Sequence, residues 1–174
     1  MKNVLRIAGI LLLVSTFSLG THAQSRAKFG YIDSEKLLSM MPERAKAQKE
    51  LQDFAKGLED QLASMNSELQ QKYNEYMQKK DSLSDFLRQT KEKEIQDLQA
   101  RIQNFQMTAQ QELQKKEQEL VQPIVEKAKA AIKKVAKAKG FTYIFDVSTG
   151  AFLYWPEGGS EDILPLVKKE LGIE

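Results

Sequence analysis

The chain has 174 residues, with 26 Lys and Arg against 24 Asp and Glu, a single histidine and no cysteine. Without cysteine it can form no disulfide and has no thiolate for catalysis or metal binding. The nearly balanced charge and the absence of a glycine-rich phosphate loop give no support to nucleic-acid or nucleotide binding.

Residues 1–23 have the pattern of a secretory signal peptide. Lys2 and Arg6 precede an apolar stretch over residues 7–19, and small residues before Gln24 suit a cleavage site. The apolar stretch is too short for a comfortable membrane span, so a retained membrane anchor is the less favoured alternative. We expect an exported, soluble protein with no stable membrane insertion after cleavage.

Cleavage would also change the charge and the available chemistry. Loss of Lys2 and Arg6 leaves 24 basic and 24 acidic residues, and the only histidine, His22, is removed as well. A chain without histidine and cysteine cannot build Ser-His, Cys-His or typical zinc sites. We therefore expect no catalytic residue, no metal, no cofactor and no enzymatic activity, and no nucleic-acid partner.

The mature chain begins with a short strand and a short helix. Residues 28–33 are rich in aromatic and β-branched side chains, which favours a strand. Asp33 or Ser34 can cap a helix over residues 35–41, which Pro42 interrupts.

Residues 42–123 form a long segment dense in Glu, Lys and Gln, with one glycine (Gly57) and no proline between its two ends. These are good helix formers, but a single helix of this length is too long for a globular protein. Apolar side chains recur every three or four residues, as on a helix with one apolar face. They are Leu51, Phe54, Leu58, Leu62, Met65, Leu69, Tyr73 and Tyr76 on the first half, and Ile95, Leu98, Ile102, Phe105, Ala109, Leu113 and Leu120 on the second.

The apolar pattern fails at residues 78–85, where Ser and Asp residues suit a turn and a new helix N-cap. When the chain is folded back there, with a turn near 80–84, Leu69 lies opposite Ile95. The pairing keeps the same register along the whole segment, as an antiparallel helix pair requires. The pattern therefore predicts a helical hairpin.

We expect this hairpin, over residues 42–123, to be a coiled-coil arm about 57 Å long. Pro42 and Pro123 lie at the same level at its root, where we expect hinges. Two helices are too thin to bury a core of their own, so the arm must project from a separate body.

Beyond Pro123 the helical pattern continues to Gly140, a typical C-terminal stop. Lysines crowd this last part, where the helix dipole favours cations. Residues 141–146 and 151–155 are expected to pair as a β-hairpin. Asp162 then caps a last helix over residues 163–171.

The body domain, residues 24–41 and 124–174, is too small to form a stable core alone. It carries more apolar and aromatic surface than it can cover, which predicts that copies of the chain associate through it. The candidate oligomerisation residues are Phe29, Tyr31, Ile32, Tyr143, Phe145, Phe152, Tyr154 and Trp155. The expected fold class is mostly α with a small β part (α+β).

The whole mature chain resembles the Skp/OmpH family of periplasmic chaperones. The resemblance rests on the segments at residues 29–43 (FGYIDSEKLLSMMPE) and 123–140 (PIVEKAKAAIKKVAKAKG), on the strand-forming residues 141–155, and on the closing residues 162–172. It implies a periplasmic homotrimer with a small β body and three helical arms around a cavity. The cavity would hold unfolded outer-membrane proteins without ATP. The arm here has 13 basic and 15 acidic residues, so electrostatic capture of clients is not expected.

The alternative is a structural coiled-coil stalk or spacer of the cell envelope. A stalk needs a regular seam along its length. Here the apolar seam thins toward the tip, where Lys91 and Arg88, and not apolar residues, are expected opposite Tyr73 and Tyr76. A loosely paired tip suits variable clients better. The candidate client-binding residues are Tyr73, Tyr76, Met77, Phe86 and Leu87 near the tip, and Met107 lower on the arm.

Overall fold

A computed structural model describes residues 27–152, 154 and 158–173. The predicted signal peptide lies outside these residues. The described elements are, in chain order, β1 (Phe29–Ile32), α1 (Ser34–Met40), α2 (Pro42–Lys79), α3 (Asp85–Lys139), β2 (Tyr143–Asp146), β3 (Glu161–Asp162) and α4 (Leu164–Leu171). Two long helices and a small sheet confirm the predicted fold class.

Helices α2 and α3 run antiparallel and form the arm. A single 3₁₀ turn, Lys80–Ser82, connects them, and the Ser84 hydroxyl caps α3 by accepting a hydrogen bond from the Leu87 N–H at 3.4 Å. α2 has 38 residues, which corresponds to about 57 Å. Ion pairs cross from one helix to the other near both ends, Glu50 to Lys116 at 2.6 Å and Lys72 to Glu94 at 3.7 Å.

The seam between the two helices is only partly closed to solvent. Ile95, Leu98 and Ile102 are buried, with Leu98 1% exposed. The other seam residues of the two helices are half-buried, because each has a neighbour on one side only: Leu51, Phe54, Leu58, Leu62, Met65, Leu69, Phe105, Ala109, Leu113 and Leu120. Among the seam residues predicted from the sequence, burial is therefore complete only at Ile95, Leu98 and Ile102, and it ends before the tip.

α3 is 55 residues long and continues from the arm into the body, with Pro123 inside it. It ends at Gly140, whose φ of 69° lies in the left-handed region that glycine adopts at little cost. Pro42 occupies the first turn of α2, where a missing N–H is tolerated. The hinges expected at Pro42 and Pro123 stay predictions.

The sheet is parallel throughout, in the order β2–β1–β3. Phe29 pairs with Tyr143 and Ile32 with Asp146. Parallel strands need a crossover connection, and between β1 and β2 that connection is α1 followed by the whole arm. Among the described residues, no helix combines the length and the apolar character that a membrane span requires.

The predicted β-hairpin of residues 141–146 with 151–155 is wrong for the described part. β2 pairs with β1, and Ala151, Phe152 and Tyr154 are not in a strand. Leu153 and Trp155 lie outside the described residues. The third strand is instead Glu161–Asp162, beside β1. Strand propensity identified β2 correctly, but it cannot decide which neighbour a strand pairs with.

The core of the body lies between one face of the sheet and the helices. Its buried residues are Ile32, Leu37, Met41, Ala47, Ile124, Ala128, Ala131, Val135, Ile163, Leu164 and Val167. Side chains alternate along β1, so Gly30 and Ile32 point into this core and Phe29 and Tyr31 to the opposite face. Ile32 is 2% exposed in the single chain, which corrects its assignment as an oligomerisation residue.

Two glycines provide a matched test of this architecture. A Cβ on Gly57, inside α2, meets nothing within 4 Å, so Gly57→Ala should stabilise the protein by about 1 kcal/mol through helix propensity. A Cβ on Gly30 would lie 2.8 Å from Ile144 Cδ1, so Gly30→Ala should destabilise it by roughly 1–3 kcal/mol. Urea unfolding at equal protein concentration measures both; equal midpoints would contradict the described packing of β1.

Candidate functional site

The tip of the arm carries a group of exposed apolar side chains. Tyr73 and Met77, in the last two turns of α2, are 47% and 43% exposed. Phe86 and Leu87, in the first turn of α3, are 76% and 46% exposed. The turn between the helices thus brings four of the six candidate client-binding residues to one end of the molecule, where no seam partner covers them.

Tyr76 differs from this group because it is half-buried and hydrogen-bonded across the arm. Its hydroxyl donates to the carboxylate of Glu92 on α3. This hydrogen bond raises the pKa of Tyr76, because ionisation would place two negative charges together. The sequence indicated only the apolar spacing, so the polar partner was not anticipated. We therefore assign Tyr76 to the contact that joins the two helices near the tip.

A second polar contact lies one turn below, around Glu94. A hydrogen bond from Lys91, 3.0 Å away, and the charge of Lys72 lower the pKa of the Glu94 carboxyl. The side chains of Lys72, Glu94 and Lys91 are 35%, 40% and 50% exposed, so such contacts contribute little to stability. They nevertheless replace apolar packing beyond Ile95, which leaves the tip weakly held.

Met107 is separate from the tip. It is 59% exposed and lies on α3, about 30 Å from Phe86 along the helix. It points away from the seam, as its position off the apolar stripe predicted. The structure does not bring it together with the tip residues.

A second apolar surface covers the side of the sheet opposite the core. Phe29 stacks on Tyr143 and Phe145, with ring centroids 6.2 and 6.0 Å apart, and Phe145 contacts Phe152 at 4.8 Å. Tyr31 is half-buried on this face of β1. We call this surface the aromatic face. No described helix lies over it.

All eight large apolar residues that are exposed in the described part of the chain belong to the two predicted sets. Five are the arm residues Tyr73, Met77, Phe86, Leu87 and Met107, and three are the body residues Tyr143, Phe152 and Tyr154. Tyr154 is 81% exposed. Trp155 lies outside the described residues. Exposed aromatic surface of this extent is typical of a protein that binds other chains.

One residue that the sequence did not single out, Asp146, anchors the loop beside the aromatic face. Its carboxylate accepts hydrogen bonds from the Ser34 hydroxyl at 2.5 Å and N–H at 3.2 Å. It also accepts from the Ser148 N–H at 3.1 Å and hydroxyl at 2.8 Å. Burial alone would raise the pKa of Asp146, but these hydrogen bonds outweigh it and the pKa is lowered.

Asp146 therefore connects the end of β2, the start of α1 and the loop that leads to Phe152. Ser34 and Asp146 are 112 residues apart, so no local sequence signal could have indicated the contact. Among the described residues no group of three or more His, Asp or Glu side chains is arranged to hold a metal ion.

The chain matches a family model and is similar to several solved structures. Residues 28–171 match the family model "Outer membrane protein (OmpH-like)". A crystal structure from Caulobacter crescentus CB15, described as that of a candidate outer membrane chaperone (OmpH-like), is similar with a TM-score of 0.71 and 16% identity. The match covers 87% of this chain and 88% of that one. A comparison with curated proteins gave no match.

Asp146→Asn tests the anchor. The neutral amide loses charge-assisted hydrogen bonds, so we expect a loss of roughly 1.5–3 kcal/mol in the free energy of unfolding at pH 7. Because the pKa of Asp146 is lowered, its carboxylate stabilises the folded state at pH values above the usual pKa of 3.8. This stabilisation is lost as the pH falls through the lowered pKa.

The gap in stability between wild type and Asp146→Asn should therefore narrow below about pH 4. Urea titrations across pH 3–7 measure it. Asp33→Asn is the control, because Asn caps a helix as well as Asp does. A gap that is independent of pH would contradict the role of the charge.

Proposed function

Because the chain belongs to the OmpH-like outer membrane protein family, we propose that it is a chaperone that binds unfolded outer-membrane proteins and prevents their aggregation. It does so as a holdase, without ATP or any chemical step. The predicted signal peptide supports a periplasmic location, where ATP is not available to drive cycles of binding.

The observation that carries this proposal is the apolar tip. Phe86 is 76% exposed, yet the apolar stripe that closes the arm ends before it. A side chain of this kind has no structural use in the hairpin, and it costs solubility. Aromatic and methionine side chains adapt to many partners, as a protein that binds variable unfolded chains requires.

Weak contacts at one tip would not hold a client. Each exposed aromatic or Met side chain is worth only about 1 kcal/mol in such a contact. Several arms acting on one chain raise the effective concentration, and their combined affinity can exceed that of one arm by orders of magnitude. Function of this kind therefore requires association of several copies.

The aromatic face supports that association. Phe29, Tyr143, Phe145 and Phe152 form a continuous set of ring contacts on the side of the three-stranded sheet opposite the core. Following the family resemblance, we propose a homotrimer in which these faces meet at the centre. Three arms would then extend in the same direction around a central cavity.

A structural stalk of the envelope is the second candidate. The half-buried seam favours it, because the exposed side of residues such as Leu58 could pack against another helix. A stalk gives no reason for exposed Phe86 and Leu87 at its end. Aggregation assays decide between the two, since a stalk would not protect an unfolded client.

The first experiment removes the apolar tip. Met77→Ser, Phe86→Ser and Leu87→Ser in one chain should leave folding and assembly unchanged, because these residues take no part in the buried seam. Light scattering of an unfolded barrel protein diluted with this variant should show much weaker protection. The control replaces three exposed polar residues near the tip, Gln78, Gln89 and Gln96, with Ser.

Salt dependence separates apolar from electrostatic binding in the same assay. The arm has 13 basic and 15 acidic residues, so client affinity should change little between 50 and 200 mM salt. Full protection by the triple variant, or affinity that collapses with salt, would show that apolar tip contacts do not hold clients.

The second experiment tests assembly. Phe145→Asp places a charge within the aromatic face, where desolvation costs several kcal/mol if copies meet there. Analytical ultracentrifugation should show dissociation to monomers. Ala130→Asp, at an exposed position of α3, is the control. A Phe145→Asp protein that sediments like wild type would exclude this face as the interface.

A further inference from the structure

The two sides of the arm differ in charge. The apolar pattern has fifteen seam residues, eight on α2 and seven on α3. Successive residues of an α-helix point about 100° apart, so the residue before each seam residue lies on one side of the hairpin and the residue after it on the other. Antiparallel helices are related by a two-fold axis perpendicular to them, so the positions before the seam share one side. Lys72 and Glu94, which each directly precede a seam residue, form an ion pair of 3.7 Å across the arm, as this geometry requires.

The side that precedes the seam is strongly charged, and we call it the charged side. Ten of its fifteen positions are acidic or basic. They are Glu50, Asp53, Glu68, Lys72 and Glu75 on α2, and Glu94, Asp97, Arg101, Glu112 and Glu119 on α3.

The side that follows the seam is almost free of charge. Glu59 is the one acidic or basic residue among its fifteen positions, whereas ten are Asn or Gln, and all ten are exposed. We call this the amide side. Its amides are Gln52, Asn66, Gln70 and Asn74 on α2, and Gln96, Gln99, Gln103, Gln106, Gln110 and Gln114 on α3.

The fold makes little use of these amides. Gln70 donates a hydrogen bond to Asn74 at 3.0 Å, and Asn66 donates to the Leu62 carbonyl at 3.0 Å. In the described part of the chain, the other glutamine side chains with a hydrogen bond are those of Gln71 and Gln122, which are not on the amide side. The six glutamines of the amide side on α3 therefore have unused donors and acceptors.

Solubility alone does not explain the difference between the sides, because charged residues would solvate both equally well. A helix docked on the amide side would require an apolar stripe there, and an anionic partner would require cations. A row of side-chain amides instead offers two N–H donors and a carbonyl acceptor at each position, without net charge. These are the groups that pair with a peptide backbone.

We propose that the amide side binds the peptide backbone of an extended segment of the client. This proposal rests on the chaperone function proposed above and names the part of the client that the arm recognises. An unfolded chain has no partners of its own for its backbone N–H and C=O groups. Every residue carries these groups, so side-chain amides can bind clients of any sequence.

The spacing of the amides suits an extended polypeptide. From Gln99 to Gln114 the glutamines recur every three or four residues, which is about 4.5–6 Å along the helix axis. Along one edge of an extended chain the N–H groups recur at every second residue, about 6.6 Å apart. The long glutamine side chains can cover the difference, so several can bind one segment together.

The amide side is continuous with the apolar tip. Met77 occupies the next position on this side beyond Asn74. At the root, the same side ends in a hollow of about 210 Å³ between the helices, whose lining includes Gln48 and Val121. A client held by its apolar side chains at the tip can therefore place its backbone along the amides.

A pair of labelled peptides tests this proposal on the assembled protein. Both are uncharged sequences of Ser, Thr and Leu, long enough to span the row, and in one every backbone nitrogen is methylated. Methylation removes the N–H donors and keeps the side chains. Fluorescence anisotropy should show that wild type binds the methylated peptide at least about tenfold more weakly, because each lost hydrogen bond costs about two- to tenfold.

The amide variant replaces Gln99, Gln103, Gln106, Gln110 and Gln114 with Ala. Its affinities for the two peptides should differ by less than about threefold, because few backbone hydrogen bonds remain to be lost. It should also protect an unfolded barrel protein less well in light scattering. The control variant carries the same substitution at five exposed glutamines outside the amide side, and should behave like wild type in both assays. They are Gln61, Gln71, Gln78, Gln89 and Gln111.

Three results would overturn the proposal. They are a wild type that does not distinguish the peptides, an amide variant that distinguishes them as strongly as wild type does, and a control variant that loses as much discrimination. An amide variant that no longer assembles but still distinguishes the peptides would assign the amide side to contacts between copies, which also overturns it. Circular dichroism and sedimentation measure folding and assembly of both variants.

The assays also separate this proposal from the chaperone function. A wild type that fails to protect an unfolded barrel protein refutes the chaperone function itself. Protection by wild type, with equal protection and equal peptide discrimination by the amide variant, refutes only the role of the amide side.

Discussion

The parallel pairing of β1 with β2 is the contact on which the rest of the structure depends. It joins residues 29–32 to residues 143–146 and so closes the chain at the root of the arm. Without it, the root of the arm would rely on the packing of α2 against α3 and on ion pairs such as Glu50–Lys116. With it, the core of the body forms on one side of the sheet and the aromatic face remains on the other.

The geometry of a two-helix arm explains where apolar side chains are exposed. Each helix has one neighbour, so only one face can be covered, and a second layer of apolar residues has nowhere to pack. Arm residues that lie off that face, such as Met107, must meet solvent or another molecule. The same argument applies to the sheet, whose core side is the one that the described helices cover. Exposure at both places follows from the architecture.

The arm could be predicted from the sequence because its signal is local and repeated. Apolar spacing identified both helices, Ser and Asp residues within 78–85 indicated the turn and a new N-cap, and Gly140 was a recognisable C-terminal stop. The partner of β2 could not be predicted, since pairing depends on where the long crossover returns the chain. The burial of Ile32 could not be predicted either, because alternation along β1 does not show which face of the sheet the helices cover. At the tip, exposure followed from the missing apolar partners, but the contact of Tyr76 with Glu92 depends on side-chain geometry that no periodicity encodes.

The separation of β1 from β2 along the chain also determines the order of folding. More than a hundred residues lie between the two strands, so their direct encounter in an unfolded chain would carry a large loop-closure cost. The helical hairpin, in contrast, can form progressively from its turn, because the first contacts between its helices join residues that are close in sequence. Once it has formed, its two ends are already side by side, and the strands meet at little further entropic cost. While the chain is being synthesised, the amino-terminal strand must therefore wait, unpaired, until the second helix has formed.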